Sequence, residues 1–272
     1  MQVFRGMDIG TAKPDPATRD RFGYHMVDVA DPSEEFTVAE FQSAGRSILD
    51  EVIARNGSIV IAGGSGLHFR SLVDPLVFPP TDAALRSRLE MLPIADLVDE
   101  LVVADPRAGE IVDLANPRRV IRAVEVLRLE GSTPSERSST RQAEAVRSYR
   151  PVRPFTAIGV DPGPVLGDRI VERFDTMLAR GLLQEVADLA PHLGRTARQA
   201  VGYRELLRVV KNRGELRPAR DEAIRATNAL AKRQRTYFRR DPRIRWIPWH
   251  HDTRQMLADV LDDHEEGATW SS

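Results

Sequence analysis

The chain has 272 residues, no cysteine, and 39 Lys and Arg against 40 Asp and Glu, for a formal net charge of −1. Disulfides, thiolate nucleophiles and cysteine-based zinc sites are excluded, and no run of 18 apolar residues offers a membrane span. A globular, cytoplasmic protein is expected, with either one large domain or a core plus a smaller one.

Met1 to Gly6 reads like the end of an element. Gly6 to Pro14 follows as a polar loop with two glycines and a closing proline, in which Asp8, Thr11 and Lys13 are candidate ligands. Tyr24 to Val29 alternates like a short strand, and His25 within it reads as a structural histidine. Thr37 with Glu40 three residues later is a capping-box pattern, and Val38, Phe41, Ile48, Val52 and Ile53 continue it with helical periodicity.

Ser58 to Ala62 is a short apolar run of β-formers, read as a buried strand. Gly63-Gly64-Ser65-Gly66 follows, and Leu67 to Leu72 reads as a helix start. A strand, a glycine turn and a helix N-terminus bring free backbone N–H groups and a positive dipole end together, which suits an anion such as phosphate. A plain strand-to-helix turn is the alternative, because short Gly-rich turns are common.

Pro75, Pro79 and Pro80 mark an exit from this core. Between Thr81 and Ser148 the only strand-like stretch is Leu101-Val102-Val103, and helices are predicted over Leu85–Met91 and Arg118–Leu129. Asn116-Pro117 starts the second of these. Arg118, Arg119 and Arg122 crowd its first turns, where the dipole disfavours cations unless an anion is bound there. Gly131 to Val146 reads as a polar loop.

Phe155 to Val160 returns to a buried strand. Leu166 to Ala179 is an amphipathic helix with Arg169 and Arg173 one turn apart, ended by Gly181. Helices continue over Leu182–Leu189, Tyr203–Val210 and Asp221–Arg240, then a last strand over Ile244–Ile247, then an acidic surface helix from Asp252 to Glu266 with a frayed end. From Arg198 to Arg245 there are 15 Lys and Arg against 5 Asp and Glu, and the remainder carries 24 against 35. On the long helix Arg225, Lys232 and Arg239 form one stripe, and Arg233, Tyr237 and Arg240 another. Cations beside an aromatic suit RNA, through phosphate neutralisation and base stacking.

Seven segments taken together resemble the tRNA dimethylallyltransferases, also called tRNA isopentenyltransferases. They are MQVFRGMDIGTAKP at 1–14, YHMVDVADPSEEFTVAEF at 24–41, GGSGLHFRSLV at 63–73, NPRRVIRAVEV at 116–126, RIVERFDTMLARGLLQEV at 169–186, QAVGYRE at 199–205 and KRQRTYFRR at 232–240. The resemblance implies an α/β fold: a parallel-sheet core like that of P-loop NTPases, over 1–80 and 149–272, with a helical tRNA-binding insertion at 81–148. It implies transfer of a dimethylallyl group from dimethylallyl diphosphate to N6 of the adenosine beside the tRNA anticodon. The expected partners are that diphosphate and the anticodon stem-loop, and the expected state is a monomer.

By the same resemblance Ser65 replaces a threonine near the reaction centre, and Arg173 matches a diphosphate-binding arginine. Asp8, Thr11, Lys13, Gly63, Gly64, Gly66 and Arg169 complete the substrate channel. The implied tRNA-contacting positions are Met1, Gln2, Arg86, Arg118, Arg119, Val120, Ile121 and Arg122, then Gln199, Ala200, Val201, Gly202, Tyr203 and Arg204, then Lys232, Arg233, Gln234, Arg235, Thr236, Tyr237, Phe238 and Arg239. The family opens with a strand and a P-loop resembling GPTASGKS, followed by an aspartate general base, and no G-x-x-x-x-G-K-[ST] occurs in this sequence. Magnesium is implied, with its protein ligands expected in that segment.

Two explanations stand: a start site placed too late, or a truly short and inactive chain. Residues 1–272 alone are expected to transfer poorly and to be marginally stable. Two other functions stay open, a non-catalytic tRNA-binding protein and a prenyltransferase acting on free adenine nucleotides.

Overall fold

In the computed structural model, the backbone is described for residues 1–268 and side chains through residue 261. Helix α1 (Pro16–Phe22) is capped by Asp15, whose carboxylate accepts from Thr18 N. Helix α2 (Val38–Ala54) carries both hydrogen bonds of the Thr37–Glu40 capping box. Helix α3 (Gly66–Val73) begins inside the glycine turn. Then follow α4 (Ala83–Glu90), α5 (Ile94–Ala104), α6 (Ala108–Ile111), α7 (Pro117–Glu130), α8 (Pro134–Ser138) and α9 (Arg141–Arg147). Strand β1 (Ala157–Asp161) leads into α10 (Leu166–Ala179), α11 (Leu182–Leu189), α12 (Tyr203–Val210) and α13 (Leu216–Phe238), and the order closes with β2 (Ile244–Pro248) and α14 (Thr253–Ala268).

Four local expectations are corrected. Ser58–Ala62 is not a strand: among the described residues nothing pairs with it, and Val60 is 92% exposed. β-propensity describes a fit to a pleated, partnered surface, and without a neighbour the run stays merely extended. Tyr24–Val29 is likewise irregular, although Phe4 and Ala30 beside it form an isolated parallel bridge. Leu101-Val102-Val103 lies in α5, where Leu97 and Leu101 share the buried face at helical spacing. Gly131–Val146 contains α8 and α9, each started by a threonine cap (Thr133 and Thr140). In addition α13 starts at Leu216, five residues before Asp221. The frayed end expected after Glu266 falls largely outside the described residues.

Two compact units emerge, one of Met1–Leu72 with Pro154–Ser272 and one of Val73–Arg153. The second is wider than the expected 81–148. Its ends are tied by Val152 N donating to Val73 O at 2.7 Å, and Gln142 Nε2 donates to Pro75 O at 2.6 Å.

In the first unit β1 and β2 pair in parallel, from Ala157 opposite Ile244 to Asp161 opposite Pro248. Its main core gathers Phe4, Met7, Phe174, Met177, Leu182, Val186, Tyr203 and Leu206. A second contact holds Phe69 of α3 edge-on to Phe155, centroids 5.7 Å apart, with Phe238 of α13 at 5.9 Å. In the second unit α4, α5 and α7 bury Leu85, Leu89, Leu97, Leu101, Val120 and Val124 against one another.

Candidate active site

The first loop is closed by its own ligands. Glu185 of α11 accepts hydrogen bonds from the backbone N–H groups of Asp8 (3.0 Å), Ile9 (2.6 Å) and Gly10 (3.0 Å). Consecutive N–H groups of this kind form an anion nest, and here a carboxylate of the chain fills it. The same carboxylate accepts from the Tyr203 hydroxyl. Burial, then the neighbouring Glu185, raise the phenol's pKa far above its ordinary value. A Cβ at Gly10 would meet the Tyr203 ring at 2.4 Å, so the position requires glycine.

Lys13 Nζ is likewise committed. It donates to Phe4 O at 2.9 Å and to Asp8 and Asp28 carboxylates at 2.5 Å each, which accounts for its three N–H bonds. Thr11 Oγ1 donates to Met7 O, and Gln2 Nε2 donates to Thr11 O and Ala12 O. Asp8, Thr11, Lys13 and Gln2 therefore knit the loop together. Burial pushes the Asp28 carboxyl up, but hydrogen bonds from Lys13 and Arg19 outweigh it and leave it below the usual range.

The glycine turn lies on α13. A Cβ added at Gly66 would strike the Tyr237 ring at 2.0 Å, and one at Gly64 would strike the Gln234 side chain at 2.6 Å. Gly63 has open space around it. Ser65 is exposed between them, its Oγ 2.7 Å from His68 Nδ1.

The carboxyl end of β1 meets the same helix, and ligands of open α/β sheets bind at such strand ends. Asp161, the last residue of β1, accepts from Arg235 Nη2 at 2.9 Å and Arg239 Nη2 at 2.8 Å. The Gly163 backbone N–H bond and these guanidinium groups hold its carboxyl low against the pull of burial. Just past β2, Trp249 stacks under the Arg169 guanidinium at 4.1 Å. Arg173, one turn along α10, is exposed with no ion pair among the described residues. The turn, α13, the strand ends and the start of α10 are thus linked in one unit, with a hydroxyl and cations presented on it. That arrangement can hold an anion and orient a polar reactant beside it.

The remaining expected RNA positions fall into two kinds. Lys232, Arg233, Thr236, Tyr237 and Arg239 are exposed on α13, as is Gln199, whereas Gln234, Arg235 and Phe238 are half-buried. Arg204 is exposed but pairs with the buried Glu205 at 2.5 Å. Ala200, Gly202 and Tyr203 are buried and Val201 half-buried, so this segment shapes the core rather than presenting side chains.

In the second unit Arg118 and Arg119 are exposed and unpaired among the described residues, whereas Val120 is fully buried and Ile121 packs beside it. Arg86 and Arg122 both hold Glu125, at 2.7 Å each, and Arg122 also donates to Pro79 O and Pro80 O. Met1 is exposed. Sequence reasoning missed Glu185, Glu125, Asp161 and His68. Most bonds of the first three span 39 to 177 residues, which no local pattern reports; the shorter ones are Glu185 with Tyr203, 18 residues apart, the i,i+3 pair of Arg122 with Glu125, and Asp161 with Gly163 N.

Among the described residues no group of three or more His, Asp or Glu side chains could hold a metal ion. Asp8, Asp28 and Asp161 are already matched by Lys13, Arg19, Arg235 and Arg239. The donor set present does not fit magnesium. No helix among the described residues is long and apolar enough to cross a membrane.

The family model described as IPP transferase matches residues 2–241. A tRNA dimethylallyltransferase of Bifidobacterium longum subsp. infantis is 38% identical over 251 residues, covering 90% of this chain and 74% of its own. One of Acidothermus cellulolyticus is 39% identical over 256 residues, covering 91% and 78%. Among solved structures, the full-length tRNA isopentenylpyrophosphate transferase of Bacillus halodurans is similar with a TM-score of 0.64 at 30% identity, covering 99% of this chain and 87% of that one.

Proposed function

Because the chain belongs to the IPP transferase family, we propose that it is a tRNA dimethylallyltransferase, moving a dimethylallyl group from its diphosphate to N6 of the adenosine beside the anticodon. In that transfer the N6–C bond forms as the allylic C–O bond breaks, diphosphate departs with the bonding pair, and the N6 proton passes to solvent water. Negative charge grows on the departing oxygens, so cations aimed there act most strongly in the transition state. Arg173 fills that role, with Arg169 beside it on Trp249, and the Ser65 hydroxyl faces the acceptor amine. Gly63, Gly64 and Gly66 let the backbone approach the substrate closely. The adenine leaves its stack to reach this place.

The tRNA rests on Lys232, Arg233, Thr236, Tyr237 and Arg239 of α13, on Gln199 and Arg204, and on Arg118 and Arg119 of the second unit. Arg86, Arg122 and Arg235 act through the carboxylates they hold. The partner is the anticodon stem-loop, the enzyme works as a cytoplasmic monomer, and a divalent cation accompanies the diphosphate. The observation that carries the reading is the glycine turn seated on α13, the same helix that displays Lys232 and Arg233 to solvent.

A non-catalytic tRNA-binding role is not favoured, since the curated relatives are named as transferases. Deleting the gene is expected to remove N6-dimethylallyl adenosine from hydrolysed tRNA, and restoring it at its own locus to bring it back. An unchanged nucleoside profile after deletion would overturn the proposal. The gene product should transfer to tRNA and not to free AMP.

A further inference from the structure

Ser65 has a fixed partner to which nothing above gives a role. Its Oγ lies 2.7 Å from Nδ1 of His68, three residues on in the first turn of α3, while Ser65 itself stands just before that helix and its carbonyl accepts from Phe69 N. The imidazole is itself held: it packs edge-on against Phe41 of α2, ring centroids 4.6 Å apart at 81°, and is half-buried. Gly64 and Gly66, on either side of Ser65, lie against Gln234 and Tyr237, so the serine backbone is fixed as well. A free serine hydroxyl rotates among staggered positions, and a rigid acceptor selects one of them. Burial holds the His68 imidazole below its ordinary pKa, and the neutral ring accepts at Nδ1 in the tautomer that carries its proton on Nε2.

We propose that His68 is a positioning residue for the transfer: its Nδ1 accepts the Ser65 hydroxyl proton and turns the Oγ lone pairs toward the N–H of the acceptor amine. This rests on the reading that Ser65 borders the reaction centre. As the new N–C bond forms, the amine gains positive charge and its N–H becomes a stronger donor. An oxygen already oriented to accept it stabilises the transition state more than the ground state, and no reorganisation is needed. His68 touches no substrate; it acts through Ser65.

The test compares His68→Phe, His68→Asn, Ser65→Ala and the double variant S65A/H68F, made in the gene product at its native locus and assayed for kcat and KM with tRNA. Phenylalanine keeps a ring against Phe41 and removes the acceptor, while asparagine returns an acceptor near the Nδ1 position. H68F is expected to lower kcat about tenfold with little change in KM. H68N should recover most of the loss, and S65A/H68F should be no slower than S65A. A wild-type kcat in H68F, or losses that multiply in the double variant, overturns the proposal. If S65A keeps full kcat, the placement of Ser65 fails and the proposal with it. If S65A is slow and H68F is not, only the proposal fails. Should H68F not fold, His68→Ala is assayed with and without added imidazole. A loss restored by imidazole supports the role, and no loss, or an unrestored loss, overturns it.

Discussion

At the scale of single residues, the loop after Met7 depends on one carboxylate. Glu185 gathers three backbone N–H groups and a phenol. Charge-assisted bonds to backbone donors are stronger than neutral ones, and removing the acceptor strands the donors. Glu185→Gln keeps the shape but turns an N–H group toward N–H groups. It is expected to cost about 2–4 kcal/mol, read as a lower midpoint in urea unfolding at an unchanged slope. A wild-type midpoint would show that the loop is held by packing alone. Gly66 makes the opposite case, in which what matters is an absent atom. Gly66→Ala places a methyl 2.0 Å from the Tyr237 ring. It should destabilise by about 1–3 kcal/mol, the range of overpacked sites, and Tyr237→Ala in the same chain should return part of it. No partial return in that double variant would mean the strain lies in the backbone.

Among the elements, α7 shows how a helix can carry a buried charge. Its Glu125 is fully buried beside Val120 and Val124, and Arg86, Arg122 and the Asp82 N–H all donate to it. Burial pushes the carboxyl up, but those hydrogen bonds more than offset it and leave it below the usual range. A depressed folded-state value means stability that is present above the unfolded carboxylate range, near pH 4.3, and lost as pH falls through the lower folded value. The second unit should therefore lose protection in native-state hydrogen exchange on acidification below about pH 4. Glu125→Gln should be less stable at pH 7 by about 2–4 kcal/mol and flatter across that acid window. Equal acid sensitivity in both proteins would remove Glu125 as the cause.

The same helix marks what the sequence could tell. Asn116-Pro117 marks its start correctly, as Thr37–Glu40 does that of α2, because caps and periodicity are local and repeat along the chain. Ser58–Ala62 misled for the reason that a strand is a relation between segments, whereas a β-branched run is a property of one. In the site, the glycine turn leading into α3 was legible from its sequence. The carboxylates that tie the first loop and the end of α13, Glu185 and Asp161, were not, since a lone acidic residue in a helix or at a strand end looks the same whether it is solvated or closes a network.

For the whole molecule, the question is which cations remain to meet a polyanion. The excess of 15 basic over 5 acidic residues between Arg198 and Arg245 overstates the supply. Arg204, Arg208, Arg220, Arg235, Arg239 and Arg243 are matched internally by carboxylates. Lys232 and Arg233 in the first unit, and Arg118 and Arg119 in the second, are exposed without partners among the described residues. An unpaired cation that neutralises a phosphate releases a counterion, so each adds about 0.7–0.9 to the slope of log K against log salt, whereas a cation already paired adds little. Arg118→Ala with Arg119→Ala is therefore expected to reduce the magnitude of the salt slope for tRNA by about 1.4–1.8. The affinity loss should be greatest at low salt. Arg107→Ala serves as the control, because that exposed arginine pairs with Glu110 at 2.8 Å. Its slope should match the wild type. Binding titrations across a salt series decide the matter: equal slopes in wild type and the double variant would mean that the second unit meets the RNA by shape or stacking, and that α13 carries the electrostatic contact by itself.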